Sequence, residues 1–171
     1  MKRFLSVLIV IAICICCLCG CKTNSSVVRI HIRANSNNVC DQEVKLSVRD
    51  GVINYITPLI ISCKNSNEVK IVLGNILSDI ENVADEILKD NGFDYCSKAD
   101  IRNELFPEKE YDGVVFPSDY YDALVIELGA GVGDNWWCVA YPPLCFVGED
   151  IEGNQIKYKS KLMEMINKFF A

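Results

Sequence analysis

From Val27 to Ala34 apolar and polar side chains alternate, with Val28, Ile30, Ile32 and Ala34 on one face and Arg29, His31 and Arg33 on the other. A period of two predicts a half-buried β-strand with a basic, solvated outer row. The period changes after Asn35-Ser36-Asn37-Asn38. Val44, Val48, Val52, Ile56 and Ile60 recur every four residues, which predicts an amphipathic helix broken or kinked at Pro58. Asn38 or a neighbour is its N-cap, and Asp41 sits in its first turn, where the helix dipole favours a carboxylate. Asn65 and Glu68 resemble a capping box that opens a second helix. Val69, Val72, Leu73, Ile76, Ile80, Val83, Ile87 and Leu88 hold its period until Gly92 ends it.

Strand alternation returns at Phe93, Tyr95, Ser97, Ala99 and Ile101, and Leu105-Phe106-Pro107 closes that run. Val114-Val115-Phe116-Pro117 predicts a short strand, Ser118 to Tyr120 a turn, and Leu124, Ile126 and Leu128 another strand. That strand feeds Gly129-Ala130-Gly131-Val132-Gly133, after which Trp136-Trp137-Cys138-Val139 again reads as a strand, ended by Pro142-Pro143. A phosphate loop needs a helix N-terminus after its glycines, so this run is a hairpin turn. The elements add up to an α+β fold: a mostly antiparallel sheet with two long helices packed on one face, plus a C-terminal helix or strand-helix tail.

Neighbouring strand residues face opposite ways, so Trp136 and Trp137 cannot share one core. Taking Trp137, Val139 and Tyr141 as the core side leaves Trp136, Cys138 and Ala140 outside, in line with the Arg29, His31 and Arg33 row. An exposed indole beside basic groups is a binding surface in the making. The candidate partner-binding residues are therefore Trp136, Trp137, Arg29, His31, Arg33 and Asn135. Cys138 and Cys145 flank the Pro142-Pro143 corner and are placed to bridge it.

The ends of the chain change the setting rather than the fold. Lys2 and Arg3 precede an apolar run from Phe4 to Leu18, too short to span a bilayer comfortably and typical of an export leader. It closes on Leu18-Cys19-Gly20-Cys21, which resembles a lipobox with Cys21 as the lipidation point; ordinary cleavage near Gly20 or an uncleaved anchor are the alternatives. The expected organisation is a signal peptide over 1–21, a linker over 22–26, one α+β domain over 27–148 and a tail over 149–171. That tail carries apolar and lysine residues in a basic amphipathic pattern, read as a helix docked on the sheet or as one lying on an anionic membrane.

The 171-residue chain has 17 Lys+Arg against 23 Asp+Glu, and its leader takes Lys2 and Arg3 away. An acidic exported part of this kind is no nucleic-acid binder. Five cysteines lie in the leader (Cys14, Cys16, Cys17, Cys19 and Cys21), leaving Cys40, Cys63, Cys96, Cys138 and Cys145. They lack C-x-x-C spacing and the chain has one histidine, so neither a metal nor a cofactor is expected. His31, as that histidine, invites a catalytic reading, yet no serine or cysteine nucleophile with an orienting carboxylate can be assigned to it.

The run Asn135-Trp136-Trp137-Cys138-Val139-Ala140-Tyr141-Pro142-Pro143-Leu144-Cys145 resembles the signature of the stage II sporulation protein R family, secreted signalling proteins of endospore-forming bacteria. His31, Ala34-Asn35-Ser36, Asp41-Gln42, Lys45 and Val48-Arg49-Asp50 resemble the family's N-terminal motif, with a departure at Asn37 to Cys40. Leu105-Phe106-Pro107, Tyr111, Pro117, Tyr121, Ala123-Leu124, Gly129 and Gly131 continue the likeness in order, so that it runs from His31 to Phe146. The resemblance implies a protein exported from the forespore into the space facing the mother cell. There it would activate, by binding, the membrane-embedded aspartic protease that processes the sigma-E precursor. The competing readings are an exported hydrolytic enzyme using His31, and a lipid-anchored structural protein.

Overall fold

The computed structural model describes residues 26–111 and 114–142 of the chain. The leader with Cys21, the predicted bridge partner Cys145 and the tail over 149–171 lie outside the described residues. The strands are β1 (Val28–Arg33), β2 (Ser97–Phe106), β3 (Lys109–Tyr111), β4 (Val114–Phe116), β5 (Asp119–Leu128) and β6 (Asn135–Tyr141). The helices are α1 (Val39–Ile60), α2 (Ser66–Asn75) and α3 (Leu77–Asp90). The expected α+β class is what the chain adopts. A four-stranded sheet has the order β2-β5-β1-β6, and β3 and β4 form a separate hairpin. The pairings β2–β5 and β1–β6 are antiparallel, whereas β1 and β5 run parallel.

The helix stripes predicted from the four-residue period are the ones buried. Val44, Val48, Val52, Ile56 and Ile60 of α1 pack with Val69, Leu73, Ile80, Ala84 and Leu88 against Val28, Ile30, Ile32, Leu124, Ile126 and Leu128. Pro58 falls inside the last turn of α1, which ends two residues later at Ile60. The single second helix expected from the sequence is two helices, α2 and α3, parted at Ile76 (φ −116°, ψ 17°). Gly74 and Asn75, poor helix formers, precede the break, and the apolar period continues through it because both segments pack on the same core.

The opposite face of the sheet differs from expectation. It carries a second core of Val27, Phe106, Phe116, Tyr121, Ala123, Val125 and Val139, with Tyr111, Val114 and Trp137 packed around it. Arg29, expected in solvent, is 0% exposed beneath this cluster. Its guanidinium carbon lies 4.6 to 5.6 Å from the ring centroids of Phe106, Tyr121, Phe116 and Tyr111. Its Nε donates to the Cys138 carbonyl (3.0 Å) and an Nη to the Tyr111 hydroxyl (3.2 Å). The aromatic faces supply the negative potential that a carboxylate would otherwise give. A strand with two covered faces cannot show which of its polar residues are wet.

Candidate functional site

Because β1 and β5 are parallel, Arg33 and Leu128 end at the same edge of the sheet, and β6 starts there. The loops that leave these strands, residues 34–38 and 129–134, therefore meet. Gly133 N–H donates to the Ala34 carbonyl (2.9 Å). Side-chain oxygens of Asn35 and Asn37 accept the amides of Ala130 (2.9 Å) and Asp134 (2.6 Å). A Cβ on Gly129 would collide with the Asn35 carboxamide, and one on Gly133 with the Ser36 carbonyl, so glycine is required for this approach.

The start of α1 locks the same corner from below. Asp41, nearly buried, accepts hydrogen bonds from Ser36 Oγ, Asn35 Nδ2 and the Tyr95 hydroxyl. Burial works against that carboxylate, but these three bonds outweigh it and hold Asp41 below the usual carboxylate range. The same contact and burial raise the Tyr95 phenol. Lys45, also buried, donates to Gln42 Oε1 (2.7 Å) and to the Asp134 carbonyl (3.0 Å). At the tip Val132 stands 76% exposed, with Asn135 open beside it. The corner is a rigid, outward-facing platform.

Next to it, on the face away from the helices, lies a polar network. The His31 ring is 1% exposed and stacks on Trp137, centroids 3.7 Å apart at 19°. Its Nδ1 meets Glu104 Oε2 at 2.8 Å and its Nε2 meets Asn135 Oδ1 at 2.9 Å. Arg33 joins Glu104 to Glu127, and Arg102 Nη2 reaches Glu127 at 2.7 Å and Glu104 at 3.7 Å. Burial pushes the His31 imidazole below its ordinary value, opposed by the Glu104 and Asn135 bonds. The pairing with Arg102 holds the Glu127 carboxyl low.

The register corrects the expected facing of β6. Trp136 sits opposite Ile32 and Trp137 opposite His31, so Trp136 takes the helix side and Trp137 the His31 side. Trp136 is half-buried against the helix core, with the Arg49 guanidinium 5.6 Å from its ring centroid. Trp137 is half-buried in the second core. A register shift between Val28 and Arg29 puts Val139 beside Arg29, while Ala140 and Tyr141 both face the helix core. Cys138 is nearly buried, and the Tyr141–Pro142 bond is cis.

Of the candidate residues, the fold brings Asn135, Trp137, His31 and Arg33 into one network. It sets Trp136 on the other side of the same strand and withdraws Arg29 into the interior. Sequence reading missed Glu104, Glu127 and Arg102. The signal was there in part: Arg102 and Glu104 share one face of a strand, but only the β2–β5–β1 order puts them over Arg33.

The family model for Stage II sporulation protein R (spore_II_R) matches residues 24–151 of the chain. Stage II sporulation protein R of Bacillus subtilis (strain 168) is 36% identical over 138 residues, covering 78% of this chain and 62% of that protein. The chain thus spans about three fifths of the length of the curated relative it matches. No solved structure matches.

Proposed function

The chain belongs to the stage II sporulation protein R family, and from that premise we propose that it is an exported signal that switches on a protease by binding it. A sporulation role follows from the family; the finer mechanism is our reading. The target is the membrane-embedded aspartic protease that processes the sigma-E precursor in the mother cell. The signal crosses the forespore membrane into the intermembrane space, held there by a lipid on Cys21 or released by cleavage of the leader. The contact surface wraps β6, the last strand in the sheet order, at the corner of the sheet, with Asn135, Trp137 and Arg33 on the His31 face and Trp136 on the helix face.

The observation that carries this reading is the rigidity of that corner. Residues that the sequence likeness singles out (Asn35, Ser36, Asp41, Gln42, Lys45 and Gly129) are spent on lacing its loops together. A surface held so firmly loses little entropy on docking. Both His31 ring nitrogens already face hydrogen-bond partners, so a hydrolase built on His31 would first have to break one of those contacts. The Cys138–Cys145 bridge is part of the proposal: the two cysteines flank the proline corner of a chain read as exported to an oxidising compartment.

Co-expression with the protease and its sigma precursor tests the reading by scoring precursor cleavage. The parent protein triggers cleavage; Trp136→Ala folds normally and fails to do so. A parent protein that leaves the precursor intact would sink the function. A fully active Trp136→Ala would move the contact away from that indole.

A further inference from the structure

The wall of the proposed contact surface is tied to a buried titratable ring. His31 touches both corner residues on its side of the sheet: its ring lies flat on Trp137 and its Nε2 faces the Asn135 carboxamide at 2.9 Å. Its other nitrogen is committed to Glu104, which Arg33 also grips. A carboxylate can only accept, so Nδ1 keeps a hydrogen whenever Glu104 is ionised. The state of Nε2 is then the one variable. Protonated, it must donate, and Asn135 has to offer Oδ1 as it does here. Unprotonated, it must accept, and the carboxamide has to turn about to offer Nδ2.

We propose that His31 is a proton-linked positioning residue, whose ring decides which side of the exposed Asn135 carboxamide is shown to the partner. Below the His31 midpoint the amide NH2 faces outward as a donor; above it the carbonyl oxygen faces outward as an acceptor. The exposed chemistry at Asn135 is thereby inverted without movement of the backbone. A partner that binds one form offers the opposite polarity, an acceptor to the acid form or a donor to the neutral form, and by linkage its docking shifts the His31 midpoint.

The groups around the ring define the device. On β1 itself Arg33 and Arg29 flank His31 on the same face, Arg29 with its charge enclosed by aromatic rings. From β2 come Glu104, Arg102 and the edge of Phe106; from β5, Glu127, reached through Arg33; from β6, Asn135 and Trp137. Burial is the largest influence and disfavours the imidazolium; the bonds to Glu104 and Asn135 and the Glu104 charge support it, and the Arg33 charge opposes it.

The inference rests on the proposed contact at Asn135, and its test separates the two. The full exported chain, isotope-labelled, is titrated by NMR through the histidine range while the His31 ring carbon and the Asn135 side-chain NH2 are followed. Both signals should share one midpoint, and Glu104→Gln should lower it. Protease activation measured against pH should change at that midpoint and move with it in Glu104→Gln. Asn135 signals that stay flat while His31 titrates overturn the proposal, as does an activation profile that ignores the shift. Should Glu104→Gln fail to fold, the parent's Asn135 signals decide. If the signals titrate together but no pH gives activation, the function reading fails and the coupling stands.

Discussion

The side chain of Asn35 occupies the space that a Cβ on Gly129 would fill, although the two residues are 94 positions apart. Asn35 uses that closeness to accept the Ala130 amide and to donate to Asp41. One missing methyl group thus joins the glycine turn, the β1–α1 loop and the first turn of α1.

Gly129→Ala should therefore be costly twice, through its positive φ (+55°) and through the collision with Asn35. A loss of about 2–3 kcal/mol is expected. Gly92→Ala is the control, since φ is also positive (+83°) but nothing lies within 4 Å of the added Cβ. It should lose only about 1 kcal/mol. Urea denaturation of both variants checks the difference, and equal losses would show that the Asn35 contact yields freely.

Arg29 offers a substitution that runs against intuition. Its charge sits among four aromatic rings with Nη1 lacking a hydrogen-bond partner among the described residues. Arg29→Met fills a similar volume without a charge to desolvate, and should leave stability unchanged or raise it by about 1–4 kcal/mol. Arg29→Ala empties the box and should cost about 3 kcal/mol or more. A methionine variant as unstable as the alanine one would mean that the cation–π contacts hold the second core together.

Acid should weaken the fold in two stages of the same sign. His31 binds its proton less readily when folded, so stability declines as pH falls through the unfolded histidine value and levels off below the folded one. Asp41 is depressed in the fold, so its contribution is complete above the unfolded carboxylate value and is lost as pH falls through the folded one. Asp41→Asn should flatten the acid limb of stability against pH while leaving the histidine step in place. Superimposable acid limbs would place the sensitivity at Asp122 or Glu127, whose carboxyls are also held low.

The proposed Cys138–Cys145 bridge closes a short loop around the proline corner. Such a closure is worth about 2–3 kcal/mol. Non-reducing peptide mapping should recover the two cysteines on linked peptides, and reduction should lower the denaturation midpoint. Recovery of both as alkylated thiols from protein exported under oxidising conditions would rule the bridge out.

Periodicity alone determined the helix stripes, the strand of Val28, Ile30 and Ile32, the turn at Gly129 and the α+β class. Each of these depends on neighbours a few residues away, where backbone geometry dictates which side chains share a face. The facing of Trp136 and Trp137 and the burial of Arg29 and His31 were decided by tertiary structure. A period of two says that alternate residues differ in facing, but not which face is covered, and here a second core covers both. The network of His31, Arg33, Glu104 and Glu127 belongs to the same category. Glu104 and Glu127 lie about 70 to 95 residues beyond His31 and Arg33 in sequence, and only the order β2-β5-β1-β6 makes them neighbours. Local sequence carries local geometry; the site was made where distant strands were paired.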